Sequence, residues 1–282
     1  MEEFKSLKEK FDFYRNKTDY KIEKKSYTMV MLDGRSFSKM IKNKYHLPFD
    51  DTFINMMNET AAYVCKGIQG CKIAYVQSDE MTFVVTDFEN PDADIFFGGR
   101  LVKMLSIIPG IATGYFNKLA MMNLIPKDKE TGNILCSSDD IYQMLESYTP
   151  IQFDAKVWQV PNLNDVFATI LYRQNDCIRN SKAQVAQKYF SHNQLKNLPV
   201  DEQIKLTKEK FNVDWENDFD DGKKFGRFIW KETEQRTNEH CLEPFERSVW
   251  KSHYAWPLHD PEGKQRFLDL GIIPDIDRLL KK

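Results

Sequence analysis

The feature that most restricts the fold is a pair of short apolar runs, 73–76 and 81–85, joined by the polar link Gln77-Ser78-Asp79-Glu80 in "CKIAYVQSDEMTFVVTDF". Runs of that length with so short a polar link predict a β-hairpin, two antiparallel neighbours in one sheet. Upstream, "YTMVML" reads as a third, buried strand, and it stops at Asp33-Gly34. Between that strand and the hairpin, "FDDTFINMMNETAAYVCKGI" places Phe53, Met56, Met57, Ala61 and Val64 close to helical spacing. A second amphipathic helix is expected over 95–119, kinked or divided at Pro109-Gly110, and "IQFDAKVWQV" supplies a closing strand. Strand, helix, strand, strand, helix, strand is the order of a split βαβ, or ferredoxin-like, unit. The fold class is therefore α/β in the α+β sense, an antiparallel sheet with flanking helices.

Past that unit, "NLNDVFATILYRQNDCIRNSKAQVAQKYF" reads as one or two helices with Asn164 as the N-cap. "LPVDEQIKLTKEKFNVDW" gives a short helix and "FGRFIWKE" a strand. The last forty or so residues alternate turns with aromatic and proline positions. The organisation expected is a main domain over 1–235, with its core at 26–160, and a C-terminal extension over 236–282.

A chain of 282 residues that is 41% hydrophobic and 13% aromatic has ample material for a packed core. Its formal charge of -2 argues against a wholesale nucleic-acid binder, so any basic face must be local. Five cysteines, with no CxxC pair and no zinc spacing, read as reduced thiols. The charged N-terminal stretch is unlike a secretory signal and no segment approaches a membrane span, so the expectation is a cytoplasmic protein with no membrane partner.

In a split βαβ the first and third strands are central neighbours. Asp33, ending the first, and Asp79-Glu80, at the hairpin, then converge on one edge of the sheet. Read structurally, an Asp-Gly and a polar hairpin are ordinary turns. Read chemically, two carboxylates and a free carbonyl suit Mg²⁺, which prefers oxygen ligands and keeps room for water and phosphate.

The motifs themselves go further. "LDGRSF" followed by "QSDEMTFVV" resembles the tRNA(His) guanylyltransferase family and its relatives that extend RNA 5′ ends in the 3′ to 5′ direction. "FDAKVWQVPN" is similar to the family's Phe-Asp-Gly/Ala-Arg strand, and "YRQNDCIRNSKAQVAQKYFSH" to its Arg-Gln-x-Asp helix. The resemblance runs from about Asp33 to Trp230, and the segment beyond is unmatched. Where the eukaryotic enzymes carry His-Ile-Asn-Asn, this chain reads Ile178 to Ser181, "IRNS", which is closer to the bacterial and phage-type relatives that repair 5′-truncated tRNA on a template.

The resemblance implies a polymerase-like palm with Asp33, Asp79 and Glu80 as catalytic residues. It implies two Mg²⁺ ions on Asp33, Asp79 and the Gly34 carbonyl, ATP and GTP or other nucleoside triphosphates as substrates, tRNA as partner, and a homotetramer. Nucleotide and phosphate contacts are expected from Arg35, Ser36, Phe37, Ser78, Arg100, Lys103 and Lys224, and RNA or supporting contacts from Arg173, Asp176, Arg179, Asn180, His192 and Arg227. Asp176 reads equally as a partner for Arg173, and Asp154 is similarly open. Trp158, Tyr172 and Trp230 alternate with apolar neighbours, so core packing is favoured over base stacking. Two rival readings are a catalytically idle palm serving as an RNA-binding or scaffolding module, and a nucleotide cyclase of the Gly-Gly-Asp/Glu-Glu-Phe type, whose turn "QSDEMTF" lacks. Clustered carboxylates that repel one another unless a metal is present speak against the first.

Overall fold

The computed structural model describes residues 4–35, 37, 45–88, 92–128, 130–238 and 241–279. Helix α1 (Leu7–Asn16) is capped by Ser6, whose side chain accepts from the Glu9 amide. Strand β1 (Tyr27–Arg35) leads to α2 (Asp51–Gly67), then β2 (Cys71–Gln77) and β3 (Glu80–Val85) form the hairpin. A 3₁₀ turn (Phe96–Gly99) precedes α3 (Leu101–Leu124), followed by α4 (Ser138–Glu146) and β4 (Gln152–Val160). The chain continues through α5 (Leu163–Tyr189), α6 (His192–Leu195), α7 (Val200–Phe211) and α8 (Asp221–Phe225). It ends in β5 (Arg227–Asn238), β6 (Cys241–Tyr254), α9 (Pro261–Asp269) and α10 (Ile276–Leu279).

The sheet has the order β4-β1-β3-β2-β5-β6, and every pair in it is antiparallel. Its first four strands are the expected split βαβ, and the β5–β6 hairpin widens it along the β2 edge. Alternation along β1 divides the core in two. Val30 and Leu32 face α2 and α3, whose buried stripe includes Phe53, Met57, Val64, Met104, Ile108 and Phe116. Tyr27 and Met29 face α5, against Val166, Phe167 and Ile170.

Four local readings change. The N-cap of α5 is Asn162 rather than Asn164: its side chain accepts from the Asp165 amide at 2.9 Å, which puts an acidic residue in the first turn where the helix dipole favours it. Helix α3 runs on through Pro109, and the break falls earlier, in the 3₁₀ turn where Phe97 and Gly98 take positive φ. Pro109 forfeits one backbone bond, which packing of α3 on β4 and α2 offsets. The segment expected to alternate turns contains the long strand β6, while β5 runs through residue 235, where the sequence reading divides the chain. Tyr172, expected in the core, is 63% exposed and lies beside the Arg173 guanidinium.

The C-terminal segment packs into the second core layer through Trp256, Leu258, Phe267 and Ile273. Gln174, fully buried on α5, fastens it there. Its amide donates to the Trp256 carbonyl at 2.9 Å and to the Phe225 carbonyl at 3.2 Å, and its oxygen accepts from Leu258 N–H at 2.8 Å.

Candidate active site

Sheet register gathers the acidic residues. Asp33 on β1 lies opposite Glu80 on β3 and Asp154 on β4, and Glu80 lies opposite Gln77 on β2. Directly opposed residues share a face, so Asp154, Asp33, Glu80 and Gln77 form one row across four strands on the α5 side. Asp79 stands at the hairpin tip. There Ser78 adopts φ 45°, an uncommon conformation for a residue with a side chain, and the Gly34 N–H donates to the Asp79 carbonyl at 3.2 Å. The hairpin tip and the end of β1 are thus joined by a backbone bond between the residue after Asp33 and Asp79 itself.

Gly34 is needed at this junction for a second reason. A Cβ there would sit 2.3 Å from the ring of Phe37, which is buried among Phe53, Phe116 and Phe153. Phe37, expected at the phosphates, turns its ring into the core instead and supports the Asp33-Gly34 end from behind.

Like charges directly opposite one another are unfavourable. Burial raises the Asp33 carboxyl above its ordinary range, and the neighbouring Glu80 and Asp154 add to the effect. Burial also pushes Asp79 up to about 6, although the Ser78 hydroxyl donates to it at 3.0 Å. Among the described residues no lysine or arginine forms an ion pair with Asp33 or Asp79. Glu80 differs, because it accepts from Gln77 at 2.6 Å and is gripped by the Arg173 guanidinium. Arg173 also donates to Asp176 at 2.8 Å, and Asp176 accepts in turn from Arg179 at 2.9 Å. Asp176 is therefore placed as a holder of arginines, one of its two expected roles.

A cleft opens beside the hairpin tip. Gln77 and Ser78, Cys177 and Asn180 on α5, Asp50 ahead of α2, and Arg227 line it. Two of its polar atoms are buried without a hydrogen-bond partner, the Gln77 side-chain oxygen and one terminal nitrogen of Arg227. The remaining donors of Arg227 reach Asn58 and the Gly222 carbonyl, each at 3.1 Å. Gln77 was absent from the sequence candidates. Its signal is the two-residue alternation of the hairpin, which sets it across from Glu80.

The other expected residues are more dispersed. Lys224 is buried, donating to the Glu216 carbonyl at 2.8 Å and pairing with Asp221. Arg35 ends β1, exposed. Arg100 caps the start of α3, with Lys103 one turn on, and binds Asp19 at 3.0 Å at the end of the sheet where β3 finishes, opposite the Asp33 end. His192 begins α6, beyond the far end of α5, about 24 Å along that helix from Arg173. Ser36 lies outside the described residues. Cys65, Cys71, Cys136 and Cys177 are free thiols. No helix among the described residues is long and apolar enough to cross a membrane.

Comparison with known proteins places the chain among relatives. The chain is 29% identical over 219 residues to an uncharacterised protein of Acanthamoeba polyphaga mimivirus, covering 72% of this chain and 70% of that one. It is 36% identical over 91 residues to a probable tRNA(His) guanylyltransferase of Dictyostelium discoideum, 32% of this chain and 34% of the relative. A bacterial tRNA(His) guanylyltransferase-like protein solved in complex with ATP shares the fold at a TM-score of 0.76 and 23% identity, covering 95% of this chain and 99% of that one. So broad a structural match takes in most of the segment after 235 that sequence resemblance leaves unmatched. Over residues 6–161 the sequence matches the family described as Thg1, tRNAHis guanylyltransferase. The chain accordingly belongs to the tRNAHis guanylyltransferase family of nucleotidyltransferases.

Proposed function

We propose that the protein adds nucleotides to the 5′ end of tRNA in the 3′ to 5′ direction, chiefly as templated repair of 5′-truncated tRNA. The observation that carries this reading is the Gly34–Asp79 backbone bond, which joins two carboxylates that no described lysine or arginine pairs with, beside a cleft with two unpartnered buried polar atoms, in a chain of this family. The bacterial relative's complexes with ATP and with GTP support nucleoside triphosphates as substrates, and the "IRNS" sequence supports repair over obligate addition of G.

Two displacements make up the reaction. An oxygen of the RNA 5′-monophosphate attacks the α-phosphorus of ATP, and pyrophosphate leaves. The 3′-hydroxyl of the incoming nucleoside triphosphate then attacks the 5′-phosphorus, AMP leaves, and the hydroxyl proton passes to solvent. Asp33 and Asp79, with the Gly34 carbonyl, are the residues that would hold Mg²⁺. They fit it: burial raises both carboxyls, with Glu80 and Asp154 adding to Asp33 and with Asp33 and Glu80 adding to Asp79, a repulsion that a divalent cation relieves. When bound, the ions would neutralise phosphate charge and lower the pKa of the attacking hydroxyl.

The chain's own part is orientation. Ser78 offers a hydroxyl at the hairpin tip, Asn180 and Arg227 offer donors across the cleft, and Arg173 grips Glu80 and fixes its position beside Asp33. The test supplies ATP and Mg²⁺ with two 5′-monophosphate RNAs, tRNA(His) lacking its extra G and a tRNA missing its first nucleotide. Growth of the truncated tRNA only by the complement of the opposing base supports the proposal. G added regardless of that base returns the chain to guanylyl transfer, and no growth of either RNA refutes both.

A further inference from the structure

A second concave surface lies away from the carboxylates. It is a groove between the outer side of α2 and the β5–β6 hairpin, lined by Tyr63, Lys66, Lys72, Tyr115, Lys231 and Trp250. Helix α2 separates it from the cleft, since Asp51 starts beside the cleft and Gly67 ends in the groove, about 25 Å apart.

One face of the hairpin pairs its charges within itself. On one side Glu234 pairs with Lys251 at 2.7 Å and Arg236 at 3.0 Å, while Glu232 meets His253 at 3.0 Å. On the other side Lys231 forms no ion pair with a described carboxylate and lies over the Trp250 ring at 5.6 Å. The register Ile73 to Trp230 sets Lys72 directly across from Lys231. Opposed like charges in neighbouring strands are unfavourable, and burial together with Lys231 holds the Lys72 pKa down. Exposed Lys66 adds a third cation, and among the described residues Glu59 is the one acidic residue in the lining. In a chain of net charge -2 this is a local concentration of positive charge.

Aromatic surface accompanies the cations. Tyr63 and Tyr115 stack with centroids 3.9 Å apart and planes 8° from parallel, and Tyr63 is 47% exposed. Lys118 extends the strip, over the Tyr115 ring at 5.6 Å. Cations set beside one exposed and two half-buried rings suit a nucleic-acid strand, whose phosphates meet the lysines and whose bases stack. An acidic peptide would use the charge and leave the rings without a role.

We propose that this groove is an RNA-docking surface separate from the carboxylate site, with Lys66 and Lys231 on phosphates and the Tyr63–Tyr115 pair as a stacking platform. The choice of RNA as occupant rests on the functional reading above. The experiment titrates a 5′-monophosphate tRNA into the full chain by fluorescence anisotropy over a range of KCl, for wild type, Lys66→Ala with Lys231→Ala, and Tyr63→Ala, with ATP binding and sedimentation measured alongside. The double variant is expected to bind RNA about tenfold more weakly, with the slope of log Kd against log salt reduced by about 0.7 to 0.9 per lysine, and to bind ATP as wild type does. Tyr63→Ala is expected to weaken RNA binding with the salt slope unchanged. An unchanged Kd and slope in the double variant overturns the proposal. A parallel loss of ATP binding also overturns it, and so does altered sedimentation of the free protein, which would assign the face to contact between copies. Failure of wild type to extend any RNA, with these binding differences intact, would count against the catalytic reading alone.

Discussion

Replacing Asp79 by Asn separates the cost of the site from its use. Burial raises this carboxyl from the ordinary 3.8 to about 6, and Asp33 and Glu80 contribute. Between those values the folded protein binds the proton more readily than the unfolded chain, so stability falls as pH climbs. The cost of holding Asp79 ionised is about 1 kcal/mol near pH 4.5 and levels off at about 3 kcal/mol above about pH 7. Asn retains an oxygen for the Ser78 hydroxyl and carries no charge. Asp79→Asn is therefore expected to be more stable than wild type, with a margin that grows from about 1 to about 3 kcal/mol over that interval. Urea denaturation followed by tryptophan fluorescence in EDTA measures it. In Mg²⁺ the margin is expected to shrink, because wild type gains stability from the ion and the variant does not. A margin that is absent, negative or independent of pH in EDTA would refute the assignment of Asp79 as an electrostatically costly residue.

Other perturbations test the supports of the site. Arg173→Ala leaves Glu80 and Asp176 half-buried without their shared partner, and is expected to lower stability by about 3 kcal/mol in urea melts; Arg173→Lys is expected to recover only part, because one ammonium does not span both carboxylates. Gln174→Leu strands the Trp256 carbonyl and the Leu258 N–H, at about 2 to 4 kcal/mol, with amide exchange at Leu258 accelerating ahead of the central strands. Gly34→Ala forces the Phe37 ring aside, and is expected to cost about 1 to 3 kcal/mol together with nucleotidyl transfer, read by melting and by a 5′-adenylylation assay.

The sequence was most informative where structure is local. Alternation in 71–85 and helical spacing in 51–67 identify the hairpin and α2 because each has one apolar face on a continuous core. The long strand β6 was hidden because its outer half is exposed and lacks alternation, with Phe245, Glu246, Arg247 and Ser248 all at the surface. The site shows the same division. Asp33, Asp79 and Glu80 stand in readable motifs, whereas the row formed with Asp154 and Gln77 depends on register between strands far apart in sequence, which no single stretch encodes. Tyr172 misled because Arg173 and Gln174 already occupy the sheet-facing side of α5, leaving its ring outward.

The strand order has a consequence for how the chain is made. During synthesis from the N-terminus, β1 emerges with its central position fixed but neither neighbour present, and the β2–β3 hairpin reaches it first. Strand β4 follows only at Gln152–Val160, and β5 covers the β2 edge after Arg227. Asp33 thus meets Glu80 early and Asp154 late, and the mutual repulsion of the row is completed when the α2–α3 side of the core has been translated but most of the α5 side has not. Arg173, which takes up part of that charge, is synthesised within about twenty residues of Asp154, so neutralisation arrives on the nascent chain almost as soon as the last acid does.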